Sequence, residues 1–245
     1  MATMSQRSRI YSTDKGAVIV ESKTKNDIID LLKDGDRTGS EIRKELGKAK
    51  STVSVHLSDL KDLGIIDERE HPEDERKKIF HLTSQFLGRP EIPNDHHYKE
   101  LIKNLEEPEI DEYGLLKWLF HLVRHGVDSF GLDIHPALKE IGRDAGKALG
   151  KNFSSENRED LLDEIAEFWK KKELGVMEVN DSTELLVKDC FDCAGMPEVG
   201  HTLCSLDEGM LEGIIEERLD QEVKVEEIEC HGSGEEHCKF VIEWS

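Results

Sequence analysis

Residues 37–83 decide the fold: "RTGSEIRKELGKAKSTVSVHLSDLKDLGIIDEREHPEDERKKIFHLT". Thr38 with Glu41 three positions on is a capping box, which predicts the start of a helix. Ile42 and Leu46 follow at i, i+4 on one face, and Gly47 marks the stop. A second helix begins almost at once. Val53, Leu57 and Leu60, spaced i, i+4, i+7, give it a buried stripe, and Gly64 ends it. Two strands, 65–69 and 77–83, then flank a His71-Pro72-Glu73-Asp74 turn. Upstream, Ile28, Ile29, Leu31 and Leu32 predict a helix over 24–32, while residues 1–20 read as a weakly ordered arm.

Helix, tight turn, helix and hairpin is the order of a winged helix-turn-helix. The segment "KSTVSVHLSDLKDLGIIDE…RKKIFHLT" resembles the ArsR-type and related winged-helix repressors, a domain placed at residues 1–88. In that arrangement the second helix enters the major groove and the hairpin touches the adjacent backbone. Lys50, Ser51, Thr52, Ser54 and His56 are the exposed candidates for base and phosphate contact. Arg76, Lys77 and Lys78 in the wing supply phosphate charge. Two positions depart from the resemblance: Ala49 stands where a capping residue is usual, and Val55 where arginine is common. Both imply modest affinity per site, and so a homodimer reading two half-sites of double-stranded operator DNA. The alternative is a helix-turn-helix kept for protein contacts.

The net charge of −21 argues against nucleic acid until the chain is divided. Residues 1–90 carry 17 basic and 16 acidic side chains, the rest 16 and 38. The acidity therefore belongs to the C-terminal part, where it reads as a solvated surface. No apolar run is long enough for a membrane span, and the N-terminus lacks a secretory h-region. A cytoplasmic protein is expected. There, five cysteines point to metal or redox chemistry rather than a disulfide framework.

Residues 89–112, with prolines at 90, 93 and 108, read as a linker holding one short helix, "HHYKELIKNL". Beyond it, three helical stretches begin near Tyr113, His135 and Arg158. Period-2 patterns follow in "VMEVN", "ELLVKDCFDC", "VKVEEIEC" and "CKFVIEW". One helix from "SLDEGMLEG" interrupts them, with Ser205 as its cap. This makes residues 113–245 an α+β domain with an antiparallel sheet, and the whole chain α+β. Gly142, Gly146 and Gly150 share a helix face suited to close packing, or to a ligand against bare backbone. Trp118, Phe120, Phe130, Phe168 and Trp169 are core residues or the lining of an apolar pocket. His71, His81, His96, His97, His121, His125 and His135 show no convergent spacing.

In "CHGSGEEHCKF", residues 230–240, glycines permit a turn that brings Cys230 and Cys238 together as a metal clip, a redox pair or two reduced thiols. Cys190 and Cys193, in an extended strand, would lie roughly 10 Å apart. They can bond to each other only if the chain turns there; otherwise each finds another partner.

The segments "GLLKWL", "IGRDAGKALG", "DCFDCAG", "LCSLDEGMLEGIIEE" and "EIECHGSGEEHCKFVI" resemble the 4-vinyl-reductase domain, a sensor module. Joined to a winged helix, the arrangement is similar to redox-sensing transcription regulators of methanogens, which implies an archaeal source. The sensor type is shared with phenol-sensing NtrC-type activators. In those, zinc is held by a Cys, a Glu and two further Cys. The resemblance places that set on Cys204, Glu227, Cys230 and Cys238. In a regular strand Glu227 and Cys230 face opposite ways, so both reach one ion only if the strand ends or bulges near Ile228. His231 or His237 would otherwise supply the fourth ligand.

The sequence thus reads as a DNA-binding transcription regulator whose Cys190, Cys193, Cys204, Cys230 and Cys238 sense redox state, with zinc as cofactor and a reversible disulfide. The alternative is a regulator answering an apolar small-molecule effector, its zinc purely structural. An enzyme is not expected, since no G-x-G-x-x-G joins a strand to a helix.

Overall fold

The computed structural model describes residues 8–93, 95–106 and 111–245. They form two units, Met1–Ile92 and Pro93–Ser245.

In the first unit, strands β1 (Arg9–Thr13) and β2 (Gly16–Val20) form an antiparallel hairpin, and β6 (Gln85–Pro90) pairs with the other edge of β1. The expected weakly ordered arm is therefore corrected for residues 8–20; residues 1–7 lie outside the described residues. The reason is visible afterwards. Gly16, at φ 106°, lets the chain reverse, and Tyr11 and Val20 turn into the core. Between them and β6 stand α1 (Lys23–Lys33), β3 (Arg37–Thr38), α2 (Gly39–Leu46), α3 (Lys50–Asp62), β4 (Ile66–His71) and β5 (Asp74–Leu82). The α2 capping box forms as read: Glu41 N–H donates to Thr38 Oγ1 at 3.4 Å, and Thr38 N–H to Glu41 Oε2 at 2.7 Å. Gly47 closes α2 in the left-handed region at φ 61°. Ile28, Ile29, Ile42, Val53, Leu57, Leu60 and Phe80 join the three helices and the β3-β5-β4 wing sheet in one core.

The second unit contains α4 (His96–Asn104), α5 (Glu112–Ser129), the two-residue strand β7 (Leu132–Asp133), α6 (His135–Gly150) and α7 (Arg158–Lys171). Then come β8 (Val176–Asp181), β9 (Glu184–Lys188), α8 (Ser205–Leu219), β10 (Val223–Glu229) and β11 (Cys238–Trp244). The sheet is antiparallel in the order β10-β11-β9-β8. Helices α6 and α8 cross backbone to backbone. A Cβ on Gly142 or Gly146 would meet the carbonyls of Leu206 or Met210, and one on Gly209 or Gly213 those of Lys139 or Arg143. The α6 glycines thus serve helix packing. Glu212, fully buried, ties α6, α8 and β10 together, accepting from Val225 N–H at 2.8 Å and pairing with Lys139 and Arg143.

Three local expectations change. Strand β9 stops at Lys188, so "DCFDC" lies in a turn: Asp189 takes φ 52°, and Ala194 N–H donates to Cys190 O at 2.8 Å. The cap of α8 is Cys204 rather than Ser205, with no side-chain hydrogen bond. The five aromatics do not line one pocket: Trp169 is buried while Phe130 is 78% exposed.

Candidate metal centre and DNA-binding face

Four segments deliver the cysteines to one place in the second unit: the 190–196 turn, the N-terminus of α8, the end of β10 and the start of β11. All five are fully buried. Cys193, Cys204, Glu227, Cys230 and Cys238 each present a ligand atom, all within 4.8 Å of one another. Cys190, Cys204 and Asp207 form a second such group, so Cys204 belongs to both.

Local chemistry explains each placement. A register shift between Glu227 and Glu229 bulges β10 at Ile228, so Glu227 and Cys230 turn toward the same side. Past Cys230 the chain makes one tight turn, His231–Ser233, and leaves it through Gly234 at φ 97°. Cys230 Sγ accepts from Gly232 N–H at 3.4 Å. A Cβ on Gly232 would meet Leu203 and the carbonyl of His201, which is why glycine stands there. His237 pairs with Glu229 at 2.9 Å, and neither His231 nor His237 joins the group. Glu227 Oε2 accepts from the N–H groups of Leu203 and Cys204 at 3.1 and 2.9 Å, which aims the carboxylate at the cluster.

Behind the cluster lies a buried cation. Arg124 of α5 donates to Asp192 Oδ1 at 2.6 Å, to Asp192 O at 2.7 Å and to Leu203 O at 2.9 Å. Its guanidinium thereby clamps the 190–196 turn to the segment leading into Cys204. His121 sits beside it: Nε2–H donates to Phe191 O at 3.0 Å, leaving Nδ1 to accept from Arg124 at 3.2 Å. Burial, aided by the Arg124 charge, lowers both His121 and His125 to about 3, so both are neutral. Burial pushes the Asp192 carboxyl up to about 7 against the pull of Arg124.

The thiols are unequal. Hydrogen bonds from Cys193, Cys204 and Cys238 hold Cys190 and Cys230 well below the usual thiol range. Donation to Cys190 pushes Cys193 and Cys238 up, and burial pushes Cys204 up. Burial raises Glu227 to about 9 and Asp207 well above the carboxylate range.

The residues fit a metal ion. Around a tetrahedral ion with 2.3 Å bonds to sulfur, ligand sulfurs stand about 3.8 Å apart. Cys204 Sγ lies 3.9 Å from Cys230 Sγ and 3.8 Å from Cys238 Sγ. Glu227 Oε1 is buried with no hydrogen-bond partner, an acceptor waiting for a cation or a proton. Cys193, 3.0 Å from Cys238 and so inside that edge of about 3.8 Å, is a fifth member of the group beside the expected set of Cys204, Glu227, Cys230 and Cys238, not a co-ligand with Cys238 as placed. Its C-x-x-C spacing to Cys190 was the available signal. Arg124, Asp192 and Asp207 left none, since a buried charge carries no sequence mark.

In the first unit, Lys50, Ser51, Thr52 and Ser54 are exposed along α3, His56 is half-buried, and Arg76, Lys77 and Lys78 are exposed on the wing. A concave face of about 500 Å³ between α3 and β5 is lined by Arg43, Lys50, Ser54 and these three wing cations. The wing cations are pledged to acids, Arg76 and Lys77 to Asp74 and Lys78 to Glu68. Arg43 and Lys50 have no ion pair among the described residues. Ala49 caps α3 without a side-chain bond, and Val55 is exposed.

Comparison with known proteins defines the class. Residues 22–68 match the arsR family of bacterial regulatory proteins, and residues 183–244 match the 4-vinyl-reductase domain. The chain is an ArsR-type helix-turn-helix joined to a 4-vinyl-reductase domain, the composition of a transcription regulator. More particularly, it belongs to the family of uncharacterized protein MJ0150 of Methanocaldococcus jannaschii, 35% identical over 128 residues, 51% of this chain and 73% of that one. Uncharacterized protein MJ1642 of the same organism is 32% identical over 99 residues, 40% of this chain and 59% of that one.

Among solved structures, a vinyl-4-reductase family protein from M. jannaschii is similar at 17% identity, covering 61% of this chain and 90% of that one with a TM-score of 0.39. The phenol-responsive sensory domain of the transcription activator PoxR, with phenol, is similar at 15% identity, covering 71% and 83% with a TM-score of 0.36. No described helix is long and apolar enough to cross a membrane.

Proposed function

We propose that this protein is a homodimeric, zinc-containing regulator whose 4-vinyl-reductase domain senses redox state and alters the hold of the winged helix on operator DNA. The observation carrying the reading is the convergence of four cysteines and an orphaned carboxylate oxygen in one buried group. When bound, a divalent zinc ion supplies the positive charge that such a group needs. The protein's part is to hold the donors: the β10 bulge aims Glu227, the Gly232 turn presents Cys230, and Arg124 fixes the turn bearing Cys193.

The redox step falls on Cys193 and Cys238, the nearest thiol pair at 3.0 Å. An oxidant of the peroxide class takes two electrons from the two sulfurs. An S–S bond forms as the peroxide O–O bond breaks: the Cys193 thiol proton leaves in one water, and the other oxygen leaves as hydroxide, since the Cys238 thiolate has no proton to give. The centre then loses the Cys238 thiolate donor, and the β11 start and the 190–196 turn become locked together. A relaxed centre frees the segment that Arg124 holds, which supports a route from the cluster to α5.

The test uses the full chain, reduced and then peroxide-treated. Metal content, free thiols and anisotropy with duplexes selected from a random pool are read on one sample. Zinc release, a Cys193–Cys238 cross-linked peptide and an affinity change of tenfold or more are expected. Cys193→Ser should abolish the change. A redox response left intact in that variant overturns the proposal. Retained metal with DNA affinity answering an apolar metabolite instead selects the structural-zinc reading.

A further inference from the structure

We propose that the cysteine cluster holds two metal ions, bridged by the Cys204 thiolate, the second ion bound by Cys190 and Asp207. This rests on the reading of the first group as a metal centre, and adds a site to it. Three observations carry it.

The first is sharing. Cys204 Sγ is the one donor common to both groups, and it stands between them, 3.8 Å from Cys190 Sγ on one side and 3.8 and 3.9 Å from Cys238 and Cys230 on the other. A thiolate has lone pairs enough for two ions.

The second is spacing. Bonds of about 2.3 Å to sulfur and 2.0–2.2 Å to oxygen set the edges of a tetrahedron at about 3.8 Å for sulfur to sulfur and about 3.6 Å for sulfur to oxygen. In the second group Cys190 to Cys204 measures 3.8 Å, and Cys190 Sγ to Asp207 Oδ2 measures 3.5 Å. Both edges match. A plain thiol–carboxyl hydrogen bond explains the second distance but gives no reason for the first.

The third is the number of buried acids. One tetrahedral ion takes four donors. Here five cysteines, Glu227 and Asp207 are all buried in the two groups. The neighbouring buried cation, Arg124, is already spent on Asp192 and two carbonyls. A single tetrahedral ion leaves Cys190, Asp207 and one donor of the first group uncoordinated, three buried ligand atoms with no ion to serve. A second divalent ion on Cys190, Cys204 and Asp207 takes up two of them, displacing their protons. Three protein ligands leave that ion one open coordination position, the hallmark of a reactive rather than a structural site. Thiophilic divalent ions such as zinc or ferrous iron suit the donor set.

The experiment counts metal in the full chain, purified reduced and anaerobic, loaded with excess zinc and dialysed, alongside acid-labile sulfide. Two zinc ions per chain are expected. Cys190→Ala and Asp207→Asn should each bind one, with the first site kept. Loaded with cobalt(II), the native chain should lose electron paramagnetic resonance intensity through coupling across the shared thiolate. Either variant should regain the signal of an isolated high-spin ion. One zinc in the native chain and in both variants overturns the bridged pair while sparing the first site. No zinc in any of them overturns both readings. Iron with stoichiometric sulfide overturns the pair in favour of a cluster.

Discussion

At the scale of single residues, burial makes groups act out of character. His121 and His125 ordinarily titrate near neutrality, yet burial beside Arg124 lowers both to about 3. A base whose folded pKa is depressed binds fewer protons than the unfolded chain. Its contribution is complete above about pH 6.5 and is lost as pH falls toward 3. Between pH 7 and pH 4 these two histidines therefore pull stability down, against the raised Asp192, Glu227 and Asp207 carboxyls, which push it up over the same range. His125→Leu should remove one histidine's share, so that its melting temperature falls less, or rises more, from pH 7 to pH 4 than the native chain's in curves monitored by circular dichroism. A slope unchanged by the substitution would sink the assignment. Glu227 shows the converse: its two backbone N–H donors fix its direction, while the unpartnered Oε1 makes it the most chemically committed carboxylate of the sheet.

Among the elements, α5 has two faces with different work. His121, Arg124 and His125 turn inward to the cysteine turn. Leu116, Leu119 and Val123 turn outward, 66, 42 and 67% exposed. Their spacing of three and four is that of a coiled-coil a/d seam. Under the proposed homodimer, a second copy of the chain covers this face. Replacing Leu116 and Val123 together by glutamate should convert a dimer to a monomer in light scattering and weaken operator binding at least tenfold. A native chain that is monomeric at micromolar concentration removes the homodimer from the proposal. Helices α6 and α8 make the opposite use of sequence, giving up side chains so that backbones touch.

For the whole molecule, charge is partitioned between tasks. The chain carries −21, yet α3 and the wing form a basic concavity. The wing cations are already paired with acids, and DNA must compete for them. Arg43 and Lys50 enter no such competition among the described residues. Lys50→Ala and Arg43→Ala should each lower affinity across all duplex sequences and reduce the slope of log K against log salt by about 1. Fluorescence anisotropy at several salt concentrations measures this. Loss confined to one sequence would make these residues base readers instead.

By itself the sequence determined whatever depends on neighbours along the chain: the Thr38–Glu41 box, the Gly47 stop, the α3 stripe, the wing hairpin and the alternation of the sensor-domain strands. These rest on periodicity and capping, which act within a few residues. It also marked Cys204, Glu227, Cys230 and Cys238 through resemblance. It did not yield the β1–β2 hairpin, where a lysine-containing turn hid a pattern as regular as the wing's. Only the tertiary structure decided that β10 bulges at Ile228, that Cys193 rather than a histidine joins the four, and that Cys204 stands between two groups. It alone showed Arg124 and Asp192 as a buried pair, 68 positions apart. Such contacts are fixed by packing between distant segments, and no local period in the chain records them.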